Sequence, residues 1–416
     1  MALRISILIF TLICLCNNIT HGKRRTHSHS LERKRGYRRS SIITTLKTIS
    51  GDTYDCVDIY EQPGMDDPTM DMDKLKMLIA KELEKQNAKL ALEEDQSLTA
   101  NSTEFYDFNP RDIWLNKKGC PMGSVPIRRL STKQLKKIEE LHKVQYIPFQ
   151  KTENQSYLNT GSFLDFAGII VPEAPSGYFI GAKATMTIWK PKLRGDHQYS
   201  SASIYVENGD NQIRSGWIVY PALYGDFKTR LFSRWTSDNY GKTGCYVNHC
   251  PGFIILSNFI PLDYAFPMTS APEGTQYDVT IEIIKVSSDP PGWYQMFNGQ
   301  ILGMWTSSIF SSMSESAIQL RFGGECFKPE GEEASAQMGS GVFVNAQYDK
   351  TSYMRQITYT DLVYGGANLD NSRVQVHESR CYYVAGNTYN TKDPWYAYNF
   401  FFGGRGGEDE ERCVYS

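Results

Sequence analysis

A surplus of charge of one sign is missing from this chain. Its 44 basic and 46 acidic residues leave a net charge of -2 over 416 residues, which argues against whole-protein binding to nucleic acid. There is no Walker loop, no dinucleotide fingerprint and no His-x-x-x-His pair on a helical pattern. The seven histidines are scattered, so neither a metal nor another cofactor is expected. Long apolar runs are also lacking. The stretch Ile5–Cys16 is too short for a bilayer, follows Arg4 and gives way to polar Asn17–Gly22. That is the layout of a cleaved secretory signal over 1–22, and nothing later is apolar enough to span a membrane, so an exported protein is expected.

What is abundant is aromatic. Tyrosine (26) and phenylalanine (20), with 33 glycines and 18 prolines, suit many short strands and turns better than helices. Strand-like runs recur at 179–189, 201–206, 213–220, 229–235, 252–256, 276–286, 292–297, 301–305 and 317–322, and later at 336–343, 351–360 and 380–384. Asn208-Gly209, Pro290-Pro291-Gly292 and Asn298-Gly299 separate some of them. The spacing predicts an all-β fold, an antiparallel β-sandwich over 162–416. Ahead of it, 23–41 is a basic tail without core residues, expected to be disordered. A smaller mixed domain is expected over 42–150. There, Leu75, Ile79 and Leu83 lie at helical spacing, and Ser131-x-x-Gln134 reads as a capping box before Leu135, Ile138 and Leu141. Residues 151–161 read as a polar linker. Asn101-Ser-Thr and Asn154-Gln-Ser are glycosylation acceptors.

The stretch 212–253 carries the strongest signal. Ile213, Ser215, Trp217 and Val219 point one way along a strand and Arg214, Gly216, Ile218 and Tyr220 the other, until Pro221 ends it. A second run holds Leu231, Phe232 and Trp235, followed by Cys245-x4-Cys250. This wording resembles the plant neprosin family, secreted glutamic endopeptidases that cleave next to proline. Further matching pieces are Gly181-Ala182-Lys183-Ala184-Thr185, Phe322-Gly323-Gly324-Glu325 and Gln337-Met338-Gly339-Ser340-Gly341. The segments around Cys56 and Cys120 resemble that family's activation domain.

The resemblance implies a β-sandwich, a cleft-masking N-terminal domain, and disulfides Cys245–Cys250, Cys381–Cys413 and Cys56–Cys120. Cys326 is then left odd, read as a buried thiol. It also implies two catalytic carboxyls, one ionised to take a proton from water and one protonated to donate. Glu325 matches one. Where the family places the other, this chain has Arg214, and Ile218 stands where the family tends to have Gln. Arginine accepts no proton, and if it faces Glu325 it favours the carboxylate.

The first expectation is therefore an idle family member. It keeps a groove for a proline-containing peptide formed by Gly216, Trp217, Ile218, Tyr220, Trp235, Gly324 and Gln337, masked by its own N-terminal domain. One alternative is a working peptidase with Glu325 as base and Arg214 as the oxyanion's partner, or with Glu207 or Asp210 supplying the second acid. The other is a structural or carbohydrate-binding wall protein. Cell wall or apoplast is the expected location, with the vacuole an alternative.

Overall fold

The computed structural model describes residues 39–94, 110–144 and 163–407, apart from 333, 343, 345, 380 and 391–394. The expected signal sequence, most of the basic tail, the expected linker, Asn101, Asn154 and Cys413 lie outside the described residues.

The N-terminal region is a three-stranded antiparallel sheet, β1 (Ile42–Lys47), β2 (Thr53–Asp58) and β3 (Ser124–Arg128), with helices α1 (Met72–Glu94) and α2 (Thr132–Val144). The start of α2 is fixed by a reciprocal cap. Ser131 Oγ accepts from the Gln134 amide at 3.2 Å, and Gln134 Oε1 accepts from the Ser131 amide at 2.9 Å. Cys56–Cys120 staples β2 to the segment before β3.

The rest is a two-sheet sandwich. Its strands are β4 (Phe163–Val171), β5 (Phe179–Thr187), β6 (Tyr199–Asn208), β7 (Asn211–Val219), β8 (Arg230–Thr236), β9 (Cys245–Tyr246) and β10 (Phe253–Ile255). They continue with β11 (Asp278–Val286), β12 (Gly292–Phe297), β13 (Gln300–Thr306) and β14 (Gln319–Lys328). The last are β15 (Tyr353–Asp361), β16 (Gly365–Asn368), β17 (Gln375–His377), β18 (Tyr383–Asn390) and β19 (Ala397–Gly403). One sheet runs β17-β4-β14-β6-β7-β8-β9. The other runs β10-β13-β12-β11-β5-β15-β19-β18, with β16 beside β15. A single turn of helix, α3 (Pro221–Tyr224), follows β7 where proline stops the ladder. Among the described residues, no helix is long and apolar enough to cross a membrane.

Two strand expectations need correction. In the run expected at 336–343, residues 336–342 form a loop, because Gly339 and Gly341 adopt φ of +62° and +71°, incompatible with a strand. The run Phe163–Val171, expected only as the start of the domain, is a full strand paired with β14 along its length.

The sheets are joined by buried polar contacts as well as packing. Trp217 Nε1 donates to the Thr187 carbonyl at 2.7 Å. Gln295 on β12 bridges Ser215 and Ser233, donating to Ser215 Oγ at 2.6 Å and accepting from Ser233 Oγ. Gln295 is wholly buried, and these partners satisfy its amide, which would otherwise be costly there.

The N-terminal region shares this core. Its Tyr54, Val57, Ile59 and Leu75 belong to one apolar cluster with Phe253, Ile254 and Trp305. Gln62 exchanges two hydrogen bonds with the Ile255 backbone, at 3.0 and 2.7 Å. Gly64 lies so close to Phe253 that an added Cβ would stand 1.9 Å from its carbonyl oxygen.

Candidate active site

The site lies on the outer face of the seven-stranded sheet, and strand register builds it in rows. One row is Ile170–Arg321–Tyr205–Arg214–Arg234, from β4 to β8. The next is Gly168–Gly323–Ser203–Gly216–Phe232, and the third is Phe166–Glu325–Ser201–Ile218–Arg230. Four small residues in the middle row make a trough. A Cβ at Gly216 would meet the Ala202 carbonyl at 1.9 Å, and one at Gly323 the Ala167 carbonyl at 2.4 Å, so the trough is a steric requirement of the sheet.

Arg214 fills that trough. Its side chain crosses from the first row to the third, and Nη1 donates to Glu325 Oε1. Its Nε donates to Ser203 Oγ at 2.8 Å, and Nη2 donates to Ser201 Oγ. Ser201 Oγ donates onward to the Glu325 carbonyl at 3.1 Å. Tyr199 donates to Glu325 Oε1 at 2.7 Å and Tyr205 to Oε2 at 3.0 Å. The guanidinium carbon lies 4.6 Å from the Tyr205 ring centre and 5.2 Å from that of Phe232. Both charges are sealed from water, Arg214 being 1% exposed and Glu325 2%.

Burial alone would raise the Glu325 pKa. The Arg214 charge, the Tyr199 hydroxyl and the more distant Arg321 and Arg234 outweigh it and hold the carboxyl below its ordinary value. For Arg214, burial opposes the charge, but Glu325 more than compensates and pushes its pKa further up. Tyr205, raised mainly by burial, stays protonated and serves as donor. This assembly holds one ionised carboxylate and offers no second acid.

The other expected residues divide by face. Gly216 is in the trough, while Ile218 and Tyr220 share its face and are buried. Trp217, Trp235 and Gly324 are corrections. The strand alternation turns them inward, where Trp217 and Trp235 are 0% and 3% exposed and a Cβ at Gly324 would strike Met338. None can line an outer groove. Gln337 sits in the loop 336–342, its Oε1 accepting from the Lys192 amide at 2.9 Å.

Glu207 is held by Arg321 through two hydrogen bonds, at 2.8 and 2.6 Å. Asp210 lies in the turn between β6 and β7, beyond the end of the ladder. Cys245 and Cys250 are bonded to each other, and Cys381 is also in a disulfide. Cys326 is a buried free thiol beside Ser200, its pKa pushed up to about 12 by burial. Tyr199, Ser201, Ser203 and Tyr205 were not anticipated as site residues. Their alternation along β6 was the available signal, since every second residue on that strand faces Glu325.

The N-terminal region reaches the same face. Arg230, opposite Ile218, donates to Asp52 at 2.9 and 3.2 Å and to Asp226 Oδ2 at 2.6 Å. Arg128 Nη2 donates to the Tyr224 carbonyl at 3.1 Å.

The family model for neprosin matches residues 196–405, and that for the neprosin activation peptide matches residues 45–165. The chain belongs to the neprosin family. Among solved structures, it is similar to scytalido-glutamic peptidase bound to a transition-state analog inhibitor. That match has 11% identity and a TM-score of 0.31, over 57% of this chain and 97% of that one. SCP-B, a member of the Eqolisin family of peptidases in complex with the tripeptide Ala-Ile-His, matches at 11% identity and a TM-score of 0.33, over 57% and 96%. Likeness this low says nothing about activity. For this neprosin-family chain, the chemistry follows from its own Arg214 and Glu325.

Proposed function

We propose that this chain is an exported, catalytically idle member of the neprosin family that acts by binding, with a proline-containing peptide or protein as ligand. The observation that supports idleness is the sealed Arg214–Glu325 pair. A general base needs a free lone pair near water, and Glu325 spends its oxygens on Arg214, Tyr199 and Tyr205. Arg214 supplies no proton at any working pH and lies where a substrate backbone would enter. The N-terminal region is then a lasting part of the molecule, tied to the sandwich by the shared core and by Asp52–Arg230.

The test is incubation of the secreted chain, intact and after limited proteolysis, with proline-containing peptides at acidic pH, followed by mass spectrometry for new termini. The expected result is no cleavage, alike in wild type and Glu325→Gln. Cleavage present in wild type and lost in Glu325→Gln would overturn the proposal.

A further inference from the structure

On the other sheet from Arg214, a cleft of about 250 Å³ opens between the N-terminal region and the sandwich. We infer that it is a binding site for a basic peptide segment, seating an apolar ring such as proline and pairing the adjacent cationic side chain at its mouth. Three observations carry this.

The interior is apolar, formed by Tyr264, Phe266, Phe297, Tyr353 and Trp395. At the rim stand two exposed large apolar side chains, Ile49 (43%) from the N-terminal region and Met268 (48%) from the sandwich. Solvent-facing apolar groups flanking an apolar cavity mark an interaction site, and this volume suits one or two side chains.

The walls are also fixed in advance. Arg355 packs 3.9 Å from the Trp395 ring centre and donates to Asp278 at 2.8 and 3.0 Å, with Tyr353 adding a bond at 3.2 Å. A cleft shaped before its ligand arrives loses less ordering entropy on binding.

The third observation is charge. The lining includes Asp112, Asp278 and Asp349 and, among the described residues, no cationic side chain. Asp112 is paired with Lys117 at 2.6 Å, and Asp278 with Arg355. The Asp349 carboxylate has no hydrogen bond or ion pair among the described residues. Its backbone is nonetheless anchored, the carbonyl accepting from the Glu273 amide at 2.7 Å and from Gln276 Nε2 at 3.1 Å. An anchored carboxylate with no direct ion-pair partner, beside an apolar ring socket, favours a ring next to a cation. Extended proline-containing segments present that combination without a folding cost. The cleft shares no lining residue with the hydrogen-bond partners of Arg214, so its occupancy is tested separately from whether that pair is silent.

The experiment is a fluorescence-anisotropy titration of the full chain with labelled Pro-Pro-Arg-Pro and its Pro-Pro-Glu-Pro counterpart, with cellohexaose as competitor. Saturable binding of the arginine peptide is expected, at least tenfold tighter than the glutamate peptide. Asp349→Lys should weaken the arginine peptide at least tenfold and erase the discrimination, and Met268→Asp should weaken the ring's seat for both. Both positions are exposed, so an unchanged melting temperature is expected and shows the fold intact. Equal affinity for the two peptides, insensitivity to both variants, or displacement by cellohexaose would overturn the proposal, the last in favour of a sugar site.

Discussion

Replacing Glu325 by glutamine separates a structural ion pair from a catalytic one. The substitution conserves shape and removes only the charge, leaving the Arg214 guanidinium buried without a counter-ion. Breaking a buried pair from one side costs roughly 3–5 kcal/mol, because the survivor's desolvation is no longer compensated. The upper half of that range is expected here. Glu325 also accepts from two tyrosine hydroxyls, and bonds to an ionised acceptor are about twice as strong as neutral ones. For a cooperative unit of this size the melting temperature should fall by roughly 5 °C.

Urea denaturation is the assay, since an uncharged denaturant keeps the ionic strength constant across the titration. The signature is a lower midpoint with an unchanged slope. Arg214→Met combined with Glu325→Gln should recover most of the loss, giving a coupling energy of a few kcal/mol. pH supplies a second axis. The folded-state pKa of Glu325 lies below its ordinary 4.5, so its contribution is fully present above that value and is lost as pH falls through the depressed one. The gap between wild type and Glu325→Gln should therefore narrow only on the acid side of 4.5. A Glu325→Gln protein within about 1 kcal/mol of wild type at neutral pH would refute the reasoning, because a carboxylate in an open cleft is what shows so small a loss.

Three further outcomes follow from the same contacts. Arg214→Glu with Ile218→Gln puts two carboxyls across the trough and should yield Glu325-dependent cleavage of a proline-containing peptide at acidic pH, read by mass spectrometry. Asp52→Asn removes one of the two carboxylates that Arg230 holds, leaving Asp226, and should cost about 2 kcal/mol, with faster protease nicking of the N-terminal region. Cys326, its pKa held near 12 by burial, should not react with a thiol reagent at pH 8 until urea unfolds the chain.

Most of the sandwich was legible because its strands carry their own stops. Asn208-Gly209 and Asn298-Gly299 supply the left-handed residues that hairpins need, and Pro221 cannot continue a ladder. Two things were not legible. Gly168 and Asp165 interrupt the apolar pattern of β4, so a full strand at the start of the domain was not picked out. Residues 336–343 have strand-like composition, but the backbone turns at two glycines, and tertiary contacts such as Met338 with Gly404 decide their path. At the site, the pair Arg214 and Glu325 could be named from sequence. What surrounds them could not, because Tyr199 and Tyr205 act through cross-strand register. Trp217 and Trp235 attract attention as aromatics, yet period-two alternation assigns Trp217 to the core as firmly as it assigns Arg214 to the outer face.

The trough explains how arginine is accommodated at position 214. Gly168, Gly323, Ser203 and Gly216 leave a channel that a peptide backbone or a long side chain can occupy. A guanidinium laid in it finds two serine hydroxyls, one carboxylate and two aromatic faces, which together match its planar donors. Lysine would reach Glu325 but could not bond both serines in one plane, so Arg214→Lys should destabilise despite keeping the charge. The small residues of the trough are then what lets the Arg214 side chain close it. A peptide-binding surface has to lie elsewhere, and the cleft between Ile49 and Met268 combines apolar walls with a carboxylate that has no direct ion-pair partner.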